Sequence, residues 1–197
     1  MRIQILFLLL SALSPALLAA DDIDFRGHIT QVLEDGLSQQ RLYFSAGEVK
    51  YALSIDDYVS ATVSGVGTKF TFKNVNSGVF EIRPSPMTPV LPFAGEAVEK
   101  YRKLALTLVP EGVEEPQRTE GSADPLSVNG WKSYRVSFSY PFSGVIIRKS
   151  VTFLTFENGQ QAVIENSAKE ADFEGLMSRA DHLIRTWHVL TNGPVIP

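Results

Sequence analysis

Between residues 23 and 83 the chain switches repeatedly between short β-branched and aromatic stretches and turns that carry Gly or Asn. The stretches Ile23 to Val32, Arg41 to Ser45, Val49 to Ile55, Thr68 to Lys73 and Val79 to Arg83 alternate in polarity, the period of a strand with one buried face. Between them stand Glu34-Asp35-Gly36, Ala46-Gly47, Ser64-Gly65-Val66-Gly67 and Asn76-Ser77-Gly78, which supply residues able to take positive φ in tight turns. Such a pattern predicts antiparallel hairpins. Pro84, Pro86, Pro89 and Pro92 follow, four prolines in nine residues, which predicts an extended connector with neither helix nor a regular ladder.

The period then becomes helical. Phe93, Ala97, Val98, Tyr101, Leu104, Ala105 and Leu108 form one stripe, with Glu96–Lys100 and Glu99–Lys103 spaced as ion pairs on the other side, before Pro110. Residues 110–127, with Glu111, Glu114, Glu115, Glu120 and Asp124, read as a flexible acidic loop. A meander comes next: Tyr134, Val136, Phe138 and Tyr140 alternate with polar residues, Pro141-Phe142-Ser143-Gly144 turns, Val145 to Phe156 returns, and Asn158-Gly159 leads into Ala162 to Asn166. Ser167-Ala168-Lys169-Glu170 has capping-box spacing, and a helical stripe runs Phe173, Leu176, Met177, Ala180, Leu183, Ile184, Trp187 and Leu190 to a stop at Asn192-Gly193-Pro194. The fold class is therefore α+β: N-terminal hairpins and a three-stranded meander in antiparallel sheet, covered by two main helices.

At the start, Arg2 precedes an apolar run to Leu13, then Ser14-Pro15-Ala16 and Leu17-Leu18-Ala19-Ala20 before Asp21-Asp22, the composition of a cleaved signal peptide over residues 1–20. Residues 21–197 then form a single α+β domain, periplasmic or secreted, and not integral to the membrane after cleavage. With Arg2 the sole charge of the leader, the mature chain keeps 17 of the 18 basic groups against 22 acidic ones, a formal −5 that disfavours nucleic acid. Cysteine is absent, so disulfides, thiolate chemistry and lipidation at a Cys are excluded.

From Asn129-Gly130-Trp131 onward, the strand Tyr134 to Tyr140, the strand Val145 to Phe156, the short strand before Asn166 and the closing helix through Ile184-Arg-Thr-Trp187 resemble the last part of the PsbP-like and DcrB-like families. The resemblance covers about a third of the chain and rests on element order and hydrophobic rhythm. It implies a central antiparallel sheet with helices on its faces, and an exported, non-enzymatic accessory or assembly role. The β-rich first sixty residues of the mature chain and the acidic loop depart from it, and no functional residue carries over.

Three histidines, His28, His182 and His188, are the only imidazoles. On one helix, positions 182 and 188 lie on nearly opposite faces and cannot share a metal; His188 would instead share a solvated face with Asp181 and Arg185. Ser64 to Lys69 lacks the phosphate-loop spacing and reads as a turn, and Asp56-Asp57 and Asp21-Asp22-x-Asp24 read as turn and terminus chemistry. No metal or cofactor is implied. Candidate binding residues are Arg135 and Arg148, on the polar alternates of adjacent strands where they could form a small anion site, and Trp131 and Tyr134, which could line an aromatic groove; ordinary pairing and core burial are the competing readings. The chain reads as a non-catalytic accessory or assembly factor of the bacterial envelope that binds another envelope protein, in an oligomeric state the sequence does not set. Alternatives are an apolar small-molecule carrier, and a carboxylate/His hydrolase that would place His28 or His188 beside an acid in a deep pocket.

Overall fold

Asp35 and Gly36, at φ 51° and 79°, close a two-residue turn between β1 (Asp24–Glu34) and β2 (Leu37–Ala46), the backbone geometry that matches strand twist in a tight hairpin. Ser143 and Gly144, at 50° and 78°, do the same between β8 (Lys132–Phe142) and β9 (Val145–Thr155). The computed structural model describes residues 23–46, 49–113 and 116–190. Its other strands are β3 (Val49–Ile55), β4 (Val59–Ser64), β5 (Gly67–Phe72), β6 (Val79–Pro84), β7 (Gln117–Ala123), β10 (Gln161–Lys169) and β11 (His188–Leu190), with helices α1 (Ala97–Leu106) and α2 (Glu170–Arg185). They form two antiparallel sheets, β1-β2-β3-β11 and β4-β5-β6-β10-β9-β8-β7. The α+β class holds, and the sheets are more extensive than the sequence reading allowed.

The larger sheet is buried on both sides. On one face Tyr134, Val136, Phe138, Tyr140, Val151, Phe153 and Val163 meet Tyr101 and Ala105 of α1, with Leu91 and Phe93 of the proline connector packed alongside. The Tyr101 hydroxyl donates to the Leu91 carbonyl at 2.7 Å and accepts from Gln161 Nε2 at 3.0 Å, tying α1 and the connector to the central strand. On the other face, Phe70, Phe80, Ile82, Leu154 and Ile164 lie beneath α2 and the smaller sheet. Trp187 is the hub of this second core, its ring 5.4–6.3 Å from those of Phe25, Phe44, Trp131 and Phe156. The polar alternates of β8 are accordingly not a wet face: Ser133 is buried, and Arg135, Ser137 and Ser139 are half-buried.

Five local expectations are corrected. The strand β4 lies mostly in residues 59–63, which were given no element between the Asp56-Asp57 and Ser64 turns, and its hairpin with β5 turns at Gly65 (φ 59°). The segment read as an acidic loop contains β7, which pairs with β8 as an edge strand. Ser167 does not cap α2. It stays in β10, opposite Val79 of β6 and Lys149 of β9, because a central strand is held extended by ladders on both sides. A distant residue does the capping: Ser77 Oγ accepts the Lys169 backbone N–H at 3.1 Å and donates to Asp172 Oδ2 at 2.5 Å. Finally, α2 ends at Arg185 rather than near residue 190. Thr186 Oγ1 accepts the Ser54 N–H at 3.0 Å, Asn129 Nδ2 donates to the Trp187 carbonyl at 2.7 Å, and residues 188–190 pair with β3. The stop read at 192–194 lies outside the described residues. On α1, Glu99 pairs with Arg102 at 2.6 Å rather than with Lys103.

Candidate functional site

Arg135 and Arg148 do lie on one face of adjacent strands, but they do not converge. Arg135 opposes Thr152 while Arg148 opposes Ser139, four ladder positions apart, roughly 13 Å at strand rise. Each is met by a carboxylate from α2. Arg135 Nη2 and Nη1 reach the two Asp181 oxygens at 2.6 and 3.3 Å, and its Nε donates to Thr152 Oγ1 at 2.9 Å. Arg148 pairs with Glu174 at 2.7 Å and lies 4.5 Å over the Phe173 ring. The two arginines thus serve as anchors for α2, and the Asp181–Arg185 pair read from spacing gives way to Asp181–Arg135. A further charge cluster, with Lys149 and Arg83 on Glu165 at 2.6 and 2.5 Å, is buried and likewise internally paired.

Trp131 and Tyr134 are buried on opposite faces of the sheet, Trp131 against Tyr51, Phe156 and Trp187, and Tyr134 against Phe93 and Tyr101. They belong to two cores and share no groove. The Tyr134 hydroxyl accepts from Arg102 Nε at 3.2 Å, which raises the guanidinium pKa further.

The histidines fall in three places. His28 stacks on Tyr43 in an open depression of 340 Å³ beside Asp24, but Asp24 is held by both Arg26 Nε and Nη2, and that pairing lowers its carboxyl pKa. His188 sits on β11, its Nδ1 2.9 Å from the Thr186 carbonyl. His182 lies on α2 and lines a cavity of 570 Å³ where the helix meets the β3–β4 corner. Gly175, Ser178, Arg179, His182 and Thr186 recur along the cavity side of α2; Ser54, Asp56, Val59 and Phe72 form the opposite wall. Asp56 Oδ1 accepts the Tyr58 N–H at 2.8 Å, as the turn reading expects. Among the described residues no group of three or more acidic or imidazole side chains could hold a metal, and no helix is long and apolar enough to cross a membrane.

Three hairpin tips carry exposed apolar side chains, while others such as Ile29, Tyr58, Val79 and Val90 lie elsewhere on the surface. Leu33 and Leu37, 78% and 66% exposed, flank the Asp35-Gly36 turn; Val63 and Val66 stand at the β4–β5 tip, and Phe142, Val145 and Ile146 at the β8–β9 tip. The first tip overhangs the molecule. Gln40 of β2 already faces Ile55, the last residue of β3, so Val32–Glu34 and Leu37–Gln39 pair only with each other. Sequence reasoning missed both this arm and the cavity, although a leucine on each side of an Asp-Gly turn was a visible sign of the first.

No family model and no curated protein matches the chain. Among solved structures, it is similar to LpqN, described as involved in cell envelope biogenesis of Mycobacterium tuberculosis, at 13% identity over 83% of this chain and 91% of that one, with a TM-score of 0.47. It is also similar to PA94 from Pseudomonas aeruginosa, a protein of unknown function described as a putative regulator, at 14% identity over 86% of this chain and all of that one, with a TM-score of 0.42.

Proposed function

We propose that this chain is an exported, non-catalytic accessory or assembly factor of the bacterial envelope that acts by binding another envelope protein, with the β1–β2 arm as its principal contact. The observation that carries this reading is the pair of highly exposed leucines, Leu33 and Leu37, at the overhanging β1–β2 tip. Leaving large apolar groups in water forgoes roughly 1.5–3 kcal/mol for each that could be buried. The register puts Leu33 opposite Ser38 and Leu37 opposite Glu34, so the leucines point to opposite faces of a two-stranded ribbon. A cleft that grips the ribbon from both sides buries both, and the free edge of β1 offers unpaired backbone groups for strand addition. The leader composition supports export. The test is capture from the native host after mild crosslinking, comparing the wild type with L33E/L37E: the reading expects an envelope protein retained by the first and lost by the second, and equal capture by both contradicts it.

A second reading, a carrier of an apolar small molecule, is favoured by the cavity beside α2, whose volume falls within the roughly 300–1,000 Å³ of small-ligand sites.

A further inference from the structure

Helix α2 sorts its charges. Glu174 and Asp181 turn toward the larger sheet and are neutralised by Arg148 and Arg135, whereas Arg179 and His182 turn toward the cavity. Arg179 is half-buried, yet among the described residues it has no carboxylate partner, unlike Arg135, Arg148, Arg83 and Lys149. The cavity it borders is apolar at its base, where Val59, Phe72 and Leu183 are all buried side chains that reach the lining. Gly175 leaves the helix side of the cavity open: a Cβ built on it would meet nothing within 4 Å.

We infer that this cavity binds a small amphiphilic carboxylate, a medium-chain fatty acid by class, with its head on Arg179 and its chain over Val59, Phe72 and Leu183. Charge complementarity selects an anionic head, since a guanidinium forms its strongest hydrogen bonds with a planar carboxylate. It also sets the orientation. Asp56 occupies the opposite wall and would repel a carboxylate placed there, so the head lies at the α2 side and the chain runs toward the β4–β5 floor. His182, one turn beyond Arg179 on the same side, adds a second donor to the head. This rests on the carrier reading of the cavity and is independent of what the hairpin arm contacts.

The test is a titration of the full mature chain, followed by backbone amide NMR shifts, with octanoate and separately with 1-octanol. The inference expects saturable shifts centred on residues 175–183 with octanoate, weaker binding of octanol, and a loss of about tenfold in octanoate affinity in R179Q. In G175F, whose side chain would fill the space while favouring the helix, both probes should be excluded with the melting temperature kept. Equal binding of octanol and octanoate, both lost in G175F, would overturn the carboxylate assignment and leave the carrier reading standing. Absence of saturable shifts with either probe would overturn both.

Discussion

Replacing Arg135 with Ala separates an anchor from a ligand site. The guanidinium makes two contacts to Asp181 and one to Thr152, and the side chains of the ion pair are only 14% and 21% exposed. Exposed pairs are worth ~0.2–1 kcal/mol, whereas removing one partner of a fully buried pair costs ~3–5 kcal/mol because the other charge is left desolvated. With about a fifth of Asp181 still reaching water, R135A should cost about 2 kcal/mol, and D181A a similar amount. The double variant should cost less than the sum of the two by about 1 kcal/mol or more, since it leaves no unpaired charge behind. Arg148 provides the internal contrast. Glu174 is 78% exposed, so R148A should lose about 0.5–1 kcal/mol, mainly the contact with the Phe173 ring. Urea unfolding of the four variants, followed by tryptophan fluorescence, gives these values from the midpoint at unchanged slope. A cost for R135A below that of R148A, or no coupling between positions 135 and 181, would refute the anchor role and return Arg135 to the list of groups held for a ligand.

Two further perturbations follow from the cores. W187A should lose about 3–5 kcal/mol, because it empties the centre of four ring contacts, while W187F should lose under about 2 kcal/mol, since among the described residues the indole Nε1 has no acceptor to forfeit; calorimetry of both reads the difference, and similar losses would contradict it. Tyr51 and Tyr140 have pKa values raised above the usual 10.0 by burial first, with Glu157 and Glu165 adding to the effect. The folded protein therefore holds phenolic protons that the unfolded chain releases, so this stabilisation is fully present below pH 10 and declines as pH rises through the folded values; a urea midpoint unchanged from pH 9 to 11 would contradict the assignment.

How much of this was legible in the sequence depended on the range of the interaction that decides it. Asp35-Gly36, Ser143-Gly144 and Asn158-Gly159 announce their hairpins because positive φ is a local requirement that few residues meet. The β7 strand was hidden because Gln117–Ala123 has no apolar alternation; it is an edge strand recruited by the ladder of β8. The end of α2 was misread for the opposite reason. Trp187 and Leu190 continue the helical period by coincidence, and the competing pull comes from Ser54 and β3, more than 130 residues away. The same distance effect governed the site. Trp131 and Tyr134 are near neighbours in sequence but enter different cores, and the partner of Arg135 lies 46 residues on, across the sheet. The arm and the cavity exist only once β3 ends short of β2 and α2 is docked, neither of which a periodicity reports.

The central claim is that the β1–β2 arm holds a partner protein, and site-specific photocrosslinking in living cells tests it most directly. Benzoylphenylalanine is placed at position 33, at position 37, and at position 100, an exposed site on α1. The account predicts one light-dependent adduct with the same envelope protein from positions 33 and 37 and none from position 100. No adduct from either arm position, or the same yield from all three, would contradict it.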